Sequence, residues 1–515
     1  MKNVYLIICL AWVVLVLSCK TQSSKEIVID PLAKEYDSTL WPFYQGVASG
    51  DPLHDRVILW TRVTSKENDS TVSVSWEIAE DQNFASIYKS DSVKTSADRD
   101  FTVKVDVDAL KPGQTYYYRF KALGKTSITG RTKTASIGYR DSLQFAVVSC
   151  SNWEWGYFNA YDKIADRPVL DAVIHLGDYI YEYGIGKYGD TTIGRINVPP
   201  YEILTLSDYR TRYALYRTDV GLRRVHQQHP FITIWDDHEV ANNVYTEGAQ
   251  NHQPEDGDFQ SRKAAAKQAY YEWLPIRESD LHYRSFSFGG LADVIMLDER
   301  LAGRTKPVDS LSDPNYKSEE RHMLGTNQLL WLKNNLQSSI ATWKIIGNQV
   351  IISEIDLSPA YPKMPRNLDS WDGYPAERDA LKNFIVNQKI NDVVFLTGDT
   401  HTSWAIEAAT DFTKTYNPKT SKGAFAIELG TTSISSANDN EYHNTDTVKM
   451  MEQSLQKMNP HIKYINARDH GYLLLTLSST KGKAEWFFVE TLRTRGSNEF
   501  LGRKFEFKKG TNQLR

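Results

Sequence analysis

Phe231-Ile232-Thr233-Ile234-Trp235 runs directly into Asp236-Asp237-His238-Glu239, an apolar stretch of strand length followed by side chains that bind metals or move protons. An uninterrupted apolar run suits a strand buried on both faces, whereas a half-exposed strand alternates. The design recurs along the chain. Phe145-Ala146-Val147-Val148 ends in Ser149-Cys150-Ser151-Asn152, residues 172–176 end in Gly177-Asp178-Tyr179-Ile180-Tyr181, and residues 393–396 lead to Gly398-Asp399-Thr400-His401. Further runs at 294–297, 343–346, 424–429, 472–477 and 485–489 add strands, and stretches such as 328–336 read as helices between them. The region 139–490 is therefore predicted to be a two-sheet α/β body. An Asp after Gly is by itself ordinary turn chemistry. Repetition at four strand ends is different, because open α/β sheets bind ligands beyond the carboxyl ends of their strands, where residues distant in sequence converge.

Composition narrows the classes. The 515 residues carry 60 Lys+Arg against 64 Asp+Glu, a formal net charge of -4, with 41% hydrophobic and 12% aromatic residues. Disorder, collagen-like repeats and a multispanning membrane protein are excluded. The absence of a basic excess argues against a nucleic-acid scaffold, and nothing in the pattern calls for a protein partner. The chain has no G-x-S-x-G elbow and no G-x-x-x-x-G-K phosphate loop, which demotes serine hydrolases and nucleotide-driven enzymes.

Outside the body, Met1-Lys2-Asn3 precedes an apolar run over 4–17 that ends in Val16-Leu17-Ser18-Cys19. The run is short for a membrane span and reads as an export signal over 1–18. Val-Leu-Ser-Cys resembles a bacterial lipobox, which implies lipidation of Cys19 and an exported protein anchored to a bacterial membrane; the alternative is an ordinary signal peptide with an incidental Cys. Residues 19–40, polar and turn-rich, are expected to be a flexible tether. Residues 41–138 hold short alternating runs, including Val72-Ser73-Val74-Ser75-Trp76-Glu77-Ile78 and Val103-Lys104-Val105-Asp106-Val107, and are expected to form a fibronectin-like β-sandwich. Residues 491–515, with Arg493, Arg495, Arg503, Lys504, Lys508 and Lys509, are expected to be a basic tail, read first as a solvated end, with a segment covering the body as the alternative. The cysteines are Cys9, Cys19 and Cys150, so Cys150 is a lone thiol in a chain read as exported. Metal ligation or deep burial would explain it.

The strings Gly46-Val47-Ala48-Ser49-Gly50-Asp51-Pro52, Gly177-Asp178-Tyr179-Ile180-Tyr181-Glu182, Trp235-Asp236-Asp237-His238-Glu239-Val240-Ala241-Asn242-Asn243, Leu297-Asp298-Glu299-Arg300 and Gly398-Asp399-Thr400-His401 together resemble the PhoD family of alkaline phosphatases and phosphodiesterases, a branch of the calcineurin-like metallophosphoesterases. The resemblance spans nearly the whole mature chain. It implies a ferric iron (Fe3+) with calcium (Ca2+), and a metal-activated hydroxide attacking the phosphorus of a small-molecule phosphate mono- or diester. Cys150, Tyr181 and His401 would serve the iron, Asp178 would bridge, and Asp237, Asn243 and Asp399 would offer the oxygens that Ca2+ prefers. His238 is open between two roles: proton donor to the leaving oxygen, or a residue orienting Asp237. Asp178 is the second catalytic candidate.

Two departures bear on this. The Asp-x-His that opens the wider superfamily is replaced by Ser149-Cys150-Ser151, and Gln349 sits near where relatives place a metal-binding His. No phosphate-clamping arginine stands out among Arg210, Arg212 and Arg300, each of which also reads as an ion-pair residue. Segments 183–201 and 245–262 each follow a ligand motif and are expected to form a rim or lid. Phospholipase D activity and an inactive surface-binding lipoprotein are the alternatives.

Overall fold

Parallel strands that carry no polar face must be covered on both sides, and here the cover is a second sheet on one side and helices on the other. The computed structural model describes residues 30–65, 70–168 and 170–515; the signal segment 1–18, Cys19 and the first part of the tether lie outside the described residues. A nine-stranded sheet has at its centre Ser142–Val148, Ala172–His175, Pro230–Thr233 and Val47–Gly50, paired in parallel. A seven-stranded sheet faces it, its parallel core made of Ala292–Met296, Trp343–Gly347, Val393–Thr397 and Ala424–Gly430. Phe145, Val147, Ile174 and Leu176 meet Val294, Met296, Ile345 and Leu396 between the sheets. The outer face of the first sheet is covered by helices that contribute Tyr213, Leu222 and Trp273. Gly325–Ser338 and Pro375–Asn387 cover the second through Leu332, Leu336, Leu381 and Ile385. The result is the mixed α/β fold that the apolar runs predict, in the order helix, sheet, sheet, helix.

Three expectations need correction. The strands read as a separate sandwich do form two layers: Thr71–Ala79, Ile87–Ser96 and Thr115–Ala122 lie in one sheet, packing Val74, Trp76 and Tyr118 against Val47, Leu59 and Val103. The second layer, however, is the end of the nine-stranded sheet itself, because Val47–Gly50 pairs with Pro230–Thr233. Alternation reveals a strand but not which sheet it joins. The tether is already packed within its described part: Leu32 is 2% exposed in the main core, and Tyr36 stacks on Tyr44. The basic tail is not a solvated end either. Glu499–Lys508 is an edge strand paired with Lys481–Val489, and Phe505, Phe507 and Leu514 are buried between the sheets. Lys504, Glu506 and Lys508 alternate with Phe505 and Phe507, so this charge is one face of a strand.

Phe507 is 1% exposed and sits edge-on to Trp343. Phe507→Ala is expected to lower unfolding stability by about 3–5 kcal/mol, whereas Lys508→Ala, at an exposed neighbour, should stay within about 0.5 kcal/mol. Denaturant titration of the two variants checks this; equal, negligible effects would restore the solvated tail.

Candidate metal centre

Each central strand delivers its side chains by a sharp turn at its carboxyl end. Cys150, Asp178, Asn243, Asp399 and His401 all have positive φ, between 51° and 61°. Non-glycine residues rarely adopt that region, and they persist in it where surrounding structure over-determines them. The glycines of the two Gly-Asp pairs have a separate reason. A Cβ on Gly177 would collide with the backbone and Cβ of Asp236, and one on Gly398 would lie 2.9 Å from Ser149 Cβ. Neighbouring strand ends therefore approach more closely than any larger residue allows.

The turns bring together Cys150, Asp178, Asp237, Asp399 and His401 among the sequence-predicted ligands. Donor atoms of Cys150, Asp178 and His401 lie within 4.8 Å of one another, as do those of Asp178, Asp237 and His238, and those of Asp236, Asp237 and Asp399. Asp178 belongs to the first two groups and Asp237 to the last two, so the three form one chain of adjoining positions. Tyr181 joins at the first: its hydroxyl donates to Asp178 Oδ2 at 2.9 Å and lies 3.3 Å from His401 Nε2. His401 Nδ1 is 2.7 Å from the Ala437 carbonyl, a contact that places the proton on Nδ1 and leaves Nε2 as a donor for a metal. Asn243 borders the last position through its backbone N–H, which donates to Asp237 Oδ2 at 2.6 Å, while its side-chain amide donates to Gln250.

The electrostatics of this cluster call for a cation. Burial, reinforced by Asp178, pushes the Cys150 thiol well up, and burial likewise raises Tyr181 and Asp178. Burial takes Asp236 up to about 8 and Asp399 up to about 7 although Arg300 pulls both down. Burial also opposes charge on Asp237, but Arg300 and His238 outweigh it and hold that carboxyl below the ordinary range. Asp236 Oδ2 is buried with no hydrogen-bond partner. An orphaned carboxylate oxygen beside Asp237 and Asp399, in a chain of positions that continues to a thiol, a phenol and an imidazole, is a donor set that a metal fits: the sulfur, phenolate and imidazole end suits iron, and the all-oxygen end suits a hard divalent cation.

Residues without a site role in the sequence reading supply the support. Arg300, fully buried, bonds Asp236, Asp369 Oδ2 at 2.6 Å and Asp399 Oδ1 at 3.0 Å, so it is the counter-ion of the cluster and not a free phosphate clamp. Arg212, also fully buried, donates to the carbonyls of Tyr181, Tyr183, Val198 and Pro199, and Arg210 pairs with Glu272. Glu239 accepts the backbone N–H groups of Asp178, Tyr179 and Asp236, locking two strand ends together. Glu182 accepts from His238 Nδ1 at 2.7 Å. Burial resists charge on His238, but Asp237, Glu182 and Asp178 raise its pKa well above that of an ordinary imidazole. Glu182 and Glu239 stand inside the quoted motifs, so proximity in sequence to the ligands was the available signal. Gln349 donates through Nε2 to the Trp235 and Leu297 carbonyls, and its Oε1 is buried with no hydrogen-bond partner.

The segments expected to form a rim do border the centre. Tyr183 and Tyr188 place their rings 5.5 and 6.5 Å from His238, while Gln250 and His252 line an 830 Å³ cleft that also includes Asn243 and Asp369. The opposite wall, with Lys306 and Lys363, comes from loops that carry no motif.

Ligand-bearing turns at the strand ends of a two-sheet α/β body define a class, the metal-assisted hydrolases, and comparison with known proteins makes it specific. Residues 145–486 match the model of the PhoD-like phosphatase family, and residues 31–136 that of the PhoD-like phosphatase N-terminal domain. Alkaline phosphatase D of Bacillus subtilis (strain 168) is 37% identical over 506 residues, covering 92% of this chain and 82% of that protein. A solved structure of PhoD superposes with a TM-score of 0.83 at 36% identity, covering 93% of this chain and 92% of that one. The chain belongs to the PhoD-like phosphatase family and is a phosphoesterase.

Asn243 has the left-handed backbone that glycine adopts freely. Asn243→Gly is therefore expected to keep unfolding stability within about 1 kcal/mol while lowering bound divalent metal and turnover, as read by thermal unfolding beside elemental analysis. Unchanged metal content would remove Asn243 from the site.

Proposed function

We propose that this phosphoesterase is an exported, lipid-anchored enzyme that hydrolyses small phosphate mono- and diesters with a cluster of ferric iron and calcium. The observation that carries the reading is that Asp178 is shared: it lies with Cys150, Tyr181 and His401 on one side and with Asp237 on the other. A carboxylate with a sulfur and phenol set on one side and oxygens on the other is suited to join a soft-tolerant and a hard cation. Cys150, Asp178, Tyr181 and His401 would hold the iron, and Asp178, Asp237, Asn243 and Asp399 the calcium. When bound, such cations neutralise phosphate oxygens and acidify water toward neutral pH. Export and anchoring rest on the apolar run before Val16-Leu17-Ser18-Cys19.

The chain's own residues do the rest. His238 is held as an imidazolium by Glu182 on Nδ1, which leaves Nε2–H as the ring's other donor, available to protonate the departing oxygen. The Tyr181 ring lies 4.2 Å from the His238 ring, tilted by 32°, and limits its rotation. The 830 Å³ cleft leaves room for a second substituent on phosphorus, which favours diesters as well as monoesters. A surface-binding lipoprotein would have no need to keep this donor set converged.

Two experiments test the reading. In metal-loaded protein, Cys150→Ser and Tyr181→Phe should each lose iron and the associated visible absorption, and chelation should stop hydrolysis of chromogenic mono- and diesters; a colourless protein with only zinc or manganese would overturn the ligand assignment. Removing the Glu182 charge lowers the His238 pKa, so in Glu182→Gln the proton donor is lost at lower pH. The alkaline limb of kcat/KM should move down in pH and the rate fall by about 10²-fold. An unmoved limb would leave His238 the role of orienting Asp237.

A further inference from the structure

Asp399 belongs to two environments. Its carboxylate is in the ligand cluster with Asp236 and Asp237; the residue also lines a second pocket, of 270 Å³, next to the large cleft. One wall of that pocket is made of Ile351, Ile355, Leu357, Trp404, Leu455 and Ile465, none more than 9% exposed, brought from one loop, two strands and a helix into an apolar cluster distinct from the main cores, while Ser353, Asp372, Thr402 and Asp439 give the lining a polar side. Trp404 has its indole N–H committed to Thr400 Oγ1 at 3.0 Å, so what it has left to offer a ligand is an apolar ring. Met364 and Asn367 line both this pocket and the open cleft, making a partition between the two spaces.

A phosphate ester carries its organic group one bond from phosphorus. With phosphate at the cations, a substituent has two directions in which to lie: the wide cleft, with Lys306, Lys363 and Arg366 on its walls, or the narrow pocket with its wall of buried apolar side chains. We infer that the pocket beside Asp399 is a subsite for an aromatic substituent of the phosphate ester, built from Trp404, Leu455 and Ile465. Its size agrees with one ring system, since a cavity of roughly 150 Å³ lined by aliphatic residues takes benzene. A long alkyl chain would have to leave through the partition. Aromatic groups also lose little conformational freedom on entering a fixed slot. The inference rests on the phosphoesterase reading, and adds to it a preference for aromatic esters.

Calorimetry on the metal-loaded protein with phenylphosphonate, methylphosphonate and octylphosphonate tests it, because all three present the same head group and none has an ester bond to cleave. Phenylphosphonate should bind about tenfold or more tightly than methylphosphonate, for burial of one ring. Ile465→Trp and Leu455→Phe, which fill the pocket, should bring that ratio near one while the methylphosphonate Kd and the rate on methyl phosphate stay unchanged. Trp404→Leu, which keeps the wall apolar and removes the ring, should lower the ratio severalfold and covers the case in which a filling variant does not fold. Equal affinities in the unaltered protein, or a ratio that survives filling, would overturn the subsite. Octylphosphonate as the tightest ligand would overturn its aromatic occupant in favour of an alkyl chain. Binding of no phosphonate together with hydrolysis of no phosphate ester would instead bring down the phosphoesterase reading, and the subsite with it.

Discussion

The guanidinium of Arg300 is buried among Asp236, Asp237, Asp369 and Asp399, with ion pairs to all four. Carboxylates gathered from separate strands into a dry interior repel one another and would each rather be protonated. One fixed positive charge reduces that cost without removing it, as the raised pKa values of Asp236 and Asp399 show. The remaining negative potential is what gives the centre its affinity for multivalent cations. Arg300 thus sets the cluster at a charge that is tolerable when the protein folds and still strongly favours a metal.

Backbone conformation is the second constraint. The ligand turns hold Cys150, Asp178, Asn243, Asp399 and His401 at positive φ, and Glu239 and Arg212 tie the turns to their neighbours through backbone N–H and carbonyl groups. Such supports act on the main chain, so they fix where a ligand sits whatever its side chain. The centre is therefore preorganised by residues that never touch a metal or a substrate.

Much of this was legible in the sequence for a physical reason. Strands buried on both faces must be apolar throughout, so runs such as 231–235 announce themselves, and side chains fit for metals at the ends of such runs have few other uses. What the sequence hides is partnership. Nothing in Val47–Gly50 tells that it lies beside Pro230–Thr233, and an alternating strand such as Glu499–Lys508, with its outward lysines and arginines, resembles a charged tail until its inward Phe505 and Phe507 find the core. Arg300 was legible as an ion-pair residue, but its partners were not, because they come from three other segments. The left-handed turns at Cys150 and His401 are invisible for the same reason: surrounding contacts impose them against local preference.

The sheet that carries the centre also has a bearing on how the protein comes into being. Its strands run in sequence from Val47–Gly50 to Glu499–Lys508, so the first strands, which pair with one another, must wait for Pro230–Thr233 before they can join the central sheet, and the two-sheet core closes only once the last strand has arrived. Contacts of such long sequence separation are slow to form, because the entropy of closing the loop comes before any pairing rewards it. A chain still growing on the ribosome thus holds its acidic turns apart and does not yet present a finished metal site, which makes metal capture a late event in the life of the molecule.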